Sequence, residues 1–516
     1  MRTLRNYVQD QWIEGTAPFA TLHNAFTEES CAQASVNGVD VSAAMAHARK
    51  VGGSSLRNMS FAERGAMLKR MSEVIHGARD ELIALAQENS GNTRGDAKFD
   101  IDGASGTLAY YASLGRKMGD NNWKLDGEQL RITRSARFVG QHIWVARRGV
   151  AVHINAFNFP AWNMCEKLAC ALLAGMPVYT KPATATAIVS ERIVALWVEA
   201  NVVPAGVVSL HCGSAGSMLD HVRSQDCVVF TGSGDTGRLI RAHEAVIAHN
   251  VPVNIEADSL NVAVLAPDVK PDSDTFWMFI SDVARDMTQK AGQKCTAIRR
   301  IIIPESATEA VVEALADRLD QQILGSPYER PTTVGPLATA SQKRDIQAGI
   351  AALSEHAKQV WGQNVQVPDT GYFVAPGLYL VQGGVDAPFV HEHEVFGPIA
   401  TIVPCSGTAE DVIDIVAAGG GGLVASMYTN DRTWGREVIL GIAPWNGRIH
   451  WGSKKVHDQS SGPGTVLPTL VHGGPGKAGG GEELGGERGL NFYWQRTALQ
   501  GDRALFDKLF PSEKVE

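Results

Sequence analysis

The chain has 516 residues, 44% of them hydrophobic and 20% charged, with a formal net charge of −8. That balance excludes a disordered chain and offers no electrostatic attraction to nucleic acid or an anionic membrane, while the length predicts two or three domains. Seven cysteines without a CxxC pair argue against a disulfide framework and for a reducing, cytoplasmic compartment.

The first residues, MRTLRNYVQDQWIEG, lack the apolar stretch of a signal peptide and predict short strands that lead into a helical entry. Ser60 and Glu63 form a capping box, and apolar periodicity over 67–85 predicts one long helix ending near Gly91. Residues 132–148 alternate, with β-branched and aromatic side chains, and predict an extended ribbon. From 149 to about 265 strands and helices alternate, which predicts a mainly parallel sheet. The strands are GVAVHINAF, PVYTKPA, VVSLHCG, VVFTG and VPVNIEA. The helices between them are one opened by Pro160 and running to about 174, then 187–200, 216–223 and 237–249. The longest apolar run, 168–180, is too short to span a bilayer. Polar residues collect at the strands' carboxyl ends, where open α/β sheets place ligands. A second α/β region follows, with helices near 273–289, 306–324 and 340–357. The tract 473–486 reads as a mobile glycine-rich loop, and NFYWQRTALQG as a terminal strand.

Several residues have more than one chemical reading. VVFTGSGDTGRL holds Gly232, Gly234 and Gly237 in a G-x-G-x-x-G directly after a strand. Glu256 follows about twenty residues later, as a dinucleotide fingerprint asks of its ribose-binding acid. Glu256 is equally read as a general base, which asks for burial and a raised pKa, or as a surface carboxylate. Cys295 lies in MTQKAGQKCTAIRR, where Lys290, Lys294, Arg299 and Arg300 would favour a reactive thiolate over an inert buried thiol. Asn158 either caps the helix that Pro160 opens or donates to an oxyanion. Lys181 either points to solvent or binds the ribose hydroxyls or phosphate of a nucleotide. HEHE at 391–394 reads as a solvated loop, and no metal is expected.

Taken together, NAFNFP, KPATAT, FTGSGDTG, EADSLN, GQKCTAIRR and EVFGPIAT resemble the aldehyde dehydrogenase superfamily in order and spacing along essentially the whole chain. The resemblance implies an α/β fold, aldehyde dehydrogenase-like, with two Rossmann-like α/β domains plus a small β oligomerisation region. It implies a cofactor-binding domain from 1–131 and 149–265 and a catalytic domain over 266–460. The ribbon 132–148 and residues 461–516 would form the oligomerisation region of a homodimer or larger homo-oligomer. By residue, it implies Cys295 as nucleophile, Glu256 as general base and Asn158 as oxyanion donor. Lys181 would hold the adenosine ribose, with Ala156 and Phe157 in the cofactor site. Gly232, Ser233 and Gly237 would lie under the pyrophosphate, and Glu394 and Phe396 beside the nicotinamide ribose. Phe159, Glu482 and Glu483 are substrate-side candidates.

VHINAFNFP, CGSAG and HGGPGKAGGGEELGG are similar to a branch whose substrates are CoA-thioester semialdehydes from aerobic phenylacetate and benzoyl-CoA catabolism. Three positions depart from the family. Glu256 stands in EADSL rather than ELGGK, Gly234 is not required, and Thr184 occupies a site where NAD-preferring members often carry glutamate. One charge pair at about 4 Å and an effective dielectric near 20 is worth roughly 4 kcal/mol, so Thr184 removes a repulsion toward a 2′-phosphate. The implied cofactor is therefore NADP, with NAD accepted. Two alternatives stand beside this reading: release of the acyl group to CoA, and a Rossmann-type reductase with Glu256 on the ribose.

Overall fold

The computed structural model describes residues 1–511. Five parallel strands carry one half of a nine-stranded sheet, in the spatial order Val253–Glu256, Cys227–Thr231, Ala151–Ile154, Val178–Lys181, Val208–Leu210. The chain enters this set at 151–154, builds outward to 208–210, then returns to place 227–231 and 253–256 on the other flank. That reversal creates a switch point between 151–154 and 227–231, where diverging loops leave a crevice at the carboxyl ends. Arg2–Val8 continues the sheet antiparallel to 208–210, and Ser30–Ala34 and Ala20–His23 complete that edge.

Strand alternation distributes the core. Val152, Val228 and Phe230 enter one buried cluster, whereas Ala151, Cys227 and Val229 enter the cluster on the opposite face. With both faces covered, these strands read as continuous apolar runs. A second sheet of seven strands has the order Lys358–Trp361, Gly377–Leu380, Ile399–Cys405, Arg300–Pro304, Val262–Leu265, Gly422–Tyr428, Asn446–Gly452. Ile302 faces one side of it, and Ile301 and Ile303 face the other.

The third sheet is antiparallel and joins Trp494–Asp502, Phe138–Ala146 and Trp123–Arg131. Trp123–Arg131 thus pairs with Phe138–Ala146, whose other edge takes the terminal strand, and residues 132–137 are only the hairpin's connection. A register shift between Asp126 and Leu130 interrupts the alternation and hides this strand in the sequence.

Several helices differ from expectation. The capping box on Ser60 and Glu63 is formed, but the helix it opens, Phe61–Gly77, ends at Ala78. Arg79–Ser90 then starts anew, with Asp80 and Glu81 favouring its N-terminus, and stops at left-handed Gly91. Over 216–223 there is only a short 3₁₀ turn, Met218–His221, with Met218 as its single buried anchor. The helix expected over 237–249 is two, Gly234–Arg241 and Glu244–Ala248. Among the described residues no helix is long and apolar enough to cross a membrane, and all seven cysteines are free.

Candidate active site

A cavity of about 920 Å³ opens at the switch point. From the first sheet it is lined by Ala156, Phe157 and Asn158, then Lys181, Gly232, Ser233 and Glu256; across it stand Cys295, Glu394 and Phe396. The glycine loop is tied to the strand beside it, since Gly232 donates its backbone N–H to the Glu256 carbonyl at 3.1 Å. Ser233 caps the following helix by accepting from the Thr236 amide at 3.4 Å. Gly234 has its own reason to be glycine: its amide donates to Asp258 at 3.0 Å, and a Cβ there would lie 2.5 Å from that carboxylate. Gly237 lets the helix close on Ile255.

The side chain of Glu256 points away from this loop. Its Oε1 lies 3.6 Å from Nε2 of His472, which in turn lies 4.0 Å from Sγ of Cys295. Donor atoms of the three residues all fall within 4.8 Å of one another. A cation could use such a spacing, but it would occupy the sulfur, and with Lys167 close to Glu256 we read the set as reacting groups, not ligands.

Cys295 is presented by a strained loop. Lys290 and Ala291 hold φ of 55° and 51°, and Gly292 follows at 70°, where a Cβ would fall 2.1 Å from the Gly397 carbonyl oxygen. Left-handed backbone at two non-glycine residues costs on the order of 1 kcal/mol or more each. Buried partners hold it there. Asp96 accepts from the Lys290 amide at 3.2 Å, and Asn92 accepts from the Lys290 ammonium at 3.0 Å. Asn158 Nδ2 donates to the Gln293 carbonyl at 3.0 Å, fixing its amide beside the nucleophile.

Asn158 therefore does not cap the helix Trp162–Ala174. Asp100 does, reaching across from the helix Arg94–Met118 to accept from the amides of Ala161 at 3.2 Å and Trp162 at 2.8 Å.

The four cations around Cys295 in sequence are engaged elsewhere, and the favour Lys294 lends the thiolate is outweighed. Lys290 lies 4.5 Å over the Phe159 ring, Lys294 pairs with Asp286 at 2.8 Å, Arg299 pairs with Glu394 at 3.2 Å, and Arg300 donates to backbone carbonyls. Burial, followed by the Glu256 carboxylate, pushes the thiol well above its ordinary range. The expectation of a raised Glu256 is also reversed. Burial opposes its charge, but His472 and Lys167 outweigh burial and hold the carboxyl at about 2; the His472 contribution requires a proton on the imidazole. Burial pushes neighbouring Glu166 up, with Glu256 adding to it, and pushes Lys167 down.

The remaining candidates are dispersed. Lys181 lines the cleft, and burial lowers its pKa; its ammonium makes no hydrogen bond or ion pair among the described residues. Thr184 opens the 3₁₀ turn beyond it. Glu394 accepts from the Ser259 amide at 3.0 Å and is raised by burial, and Phe396 packs edge-on to Phe157 at 6.0 Å. HEHE is not wholly solvated: His391 is buried against Arg300 at 2.9 Å, and only Glu392 and His393 are exposed. Phe159 packs against Phe99 and Trp162. Glu482 is exposed and pairs with Arg488 at 2.5 Å, and Glu483 accepts from the Gly485 amide at 2.7 Å.

His472, Lys167, Glu166 and Asp100 escaped sequence reasoning. A signal existed for Glu166 and Lys167, a polar pair inside the apolar helix WNMCEKLACALLA. His472 heads the glycine tract, which is packed instead of loose. Gly479, at φ 130°, leaves room for the Ile255 carbonyl, and Ala478 accepts from the Ala257 amide at 3.0 Å.

The cleft thus gathers a thiol, a carboxylate and an amide at its head. The pattern of the Aldehyde dehydrogenase family matches residues 12–499, and the chain belongs to that family. It is 41% identical over 481 residues to 3,4-dehydroadipyl-CoA semialdehyde dehydrogenase of Aromatoleum evansii, covering 92% of this chain and 93% of the relative. Its fold is similar to lactaldehyde dehydrogenase from Escherichia coli, with TM-score 0.84, 21% identity and coverage of 96% and 99%. It is also similar to betaine aldehyde dehydrogenase from Staphylococcus aureus in complex with NAD⁺, with TM-score 0.84, 20% identity and coverage of 96% and 94%.

Proposed function

We propose that this aldehyde dehydrogenase oxidises the aldehyde carbon of a CoA-thioester semialdehyde from aerobic aromatic catabolism to the carboxylic acid, preferring NADP and accepting NAD. The observation that carries the chemistry is the convergence of Cys295, Glu256 and Asn158 at the head of the cleft. The substrate class rests on the 41% identical relative.

The cleft suits a dinucleotide. Lys181 supplies a half-buried cation, unpartnered among the described residues, for the adenosine ribose, with Gly232 and Ser233 at the pyrophosphate and Glu394 and Phe396 at the nicotinamide end. A nicotinamide cofactor bound there supplies the hydride acceptor. The protein's own residues do the rest. The Cys295 sulfur adds to the aldehyde carbon, and the Asn158 amide together with the Cys295 backbone N–H stabilises the oxyanion. Once the carbon is oxidised, Glu256 takes a proton from water, which attacks the thioacyl carbon and returns the thiol.

A second cavity of about 550 Å³ shares no lining residue with the cleft. Gly95, Gly103 and Gly106 line it from one helix, opposite 465–468. It adjoins the nucleophile's segment, because Thr296 donates to the Gly464 carbonyl at 3.3 Å. This supports a route for a long thioester arm. In the third sheet, Leu130, Phe138 and Val145 are exposed apolar residues that support self-association, in a homodimer or larger homo-oligomer. The test is a panel of aldehydes with and without CoA, scored by cofactor reduction. CoA-linked semialdehydes are expected to dominate kcat/KM, and equal use of their CoA-free counterparts would overturn the assignment.

A further inference from the structure

We propose that His472 is the proton acceptor for the Cys295 thiol, its Nε2 lying between nucleophile and base and taking the proton as the sulfur attacks. This rests on Cys295 being the nucleophile of the reaction proposed above.

Three observations carry it. The first is placement. Nε2 is 4.0 Å from Sγ and 3.6 Å from Glu256 Oε1, so a single nitrogen serves both groups. Catalytic contacts of this kind are often long before substrate binds. The second is need. The four neighbouring cations are engaged elsewhere, and the favour Lys294 lends a thiolate is outweighed by burial and the Glu256 carboxylate. The third is construction. His472 is only 6% exposed, and its Nδ1 is buried without a partner among the described residues. In this proposal the resting proton is on Nδ1, which leaves the Nε2 lone pair facing the sulfur. The packed glycine tract fixes this position from the backbone, with the Leu484 amide donating to the Val471 carbonyl at 3.1 Å.

The charged groups facing the imidazole are Glu256 from the strand end, Cys295 from the nucleophile loop, and Glu166 and Lys167 from the helix Trp162–Ala174. In the step, the Sγ–H bond breaks and its proton binds Nε2. The sulfur pair forms the bond to the aldehyde carbon, and the carbonyl π pair moves to oxygen. The imidazolium so formed is compensated by the Glu256 carboxylate.

The experiment is iodoacetamide alkylation of Cys295 across pH, without aldehyde or cofactor, followed by mass spectrometry with Cys295→Ala as the blank. In the wild type, the rate is expected to level off below the pH at which a small free thiol does. His472→Ala and His472→Gln should lose about tenfold to a hundredfold at neutral pH. Their profiles should move alkaline, and added imidazole should restore part of the His472→Ala rate. A shared profile for wild type and variants would overturn the proposal. So would a wild-type rate that keeps climbing through the alkaline range, a readout that requires no variant to fold. Because alkylation needs no substrate, failure here leaves the aldehyde panel's outcome intact, and the converse holds.

Discussion

Replacing Asp100 tests whether the oxyanion donor is positioned from a distant helix. Asp100 is fully buried, and its two oxygens accept from the amides of Ala161 and Trp162, three and four residues beyond Asn158. Burial raises its carboxyl, while Lys290 and these two amides oppose that rise. Asp100→Ala removes both acceptors and leaves two buried donors unpaired, at roughly 1–3 kcal/mol each. A total of about 4 kcal/mol, felt by a domain of some 150–250 residues, lowers its thermal transition by about 8–16 °C. Asp100→Asn keeps one acceptor and should lose about half as much. Differential scanning calorimetry reads the shift, and steady-state kinetics should show kcat falling more than KM rises as the Asn158 loop loosens. A transition for Asp100→Ala within about 2 °C of wild type would refute the reasoning.

Gly106 has open space where a Cβ would go and lines the 550 Å³ cavity. Gly106→Leu should therefore leave stability unchanged or raise it by about 0.5–1 kcal/mol. It should also raise KM for a CoA-linked aldehyde about tenfold while sparing small aldehydes; equal effects on both would count against the route. For pH dependence, Glu256 is depressed to about 2 from an ordinary 4.5, so its contribution to stability is present above 4.5 and lost as pH falls through 2. His472→Ala moves this carboxyl back up, so its acid melting curves should lose less stability across that window than wild type. The acid limb of turnover should shift to higher pH. Leu130→Asp with Phe138→Asp, which share one face of the third sheet, should convert the proposed assembly to monomers by sedimentation velocity, and an unchanged mass would exclude this face.

The parallel sheet was legible because buried strands announce themselves as short apolar runs, and GVAVHINAF, PVYTKPA and VPVNIEA end where the polar site residues begin. Local periodicity also located the helices Ala187–Glu199 and Asp274–Thr288. It failed where one interruption, at Ala78 or between Asp126 and Leu130, breaks a pattern without changing composition. Cys295, Glu256 and Asn158 were visible through motifs in register, but their electrostatics were not. Nearness in sequence put four cations around Cys295; folding turned each toward another partner. The groups that govern Glu256 come from 167 and 472, and Asp100 reaches its amides from another helix. Such separations leave no local trace. The glycine tract was misread for the same reason, since its glycines answer to backbone atoms of remote strands, not to flexibility.

The central claim, that Glu256 hydrolyses an acyl group carried on Cys295, is tested most directly in Glu256→Gln. Mixing this variant with NADP and a CoA-thioester semialdehyde should reduce about one cofactor per site and then stop. Intact and peptide mass spectra should place the acyl group on Cys295. Weak cofactor binding with no burst and no adduct would instead put Glu256 on the ribose and contradict the account.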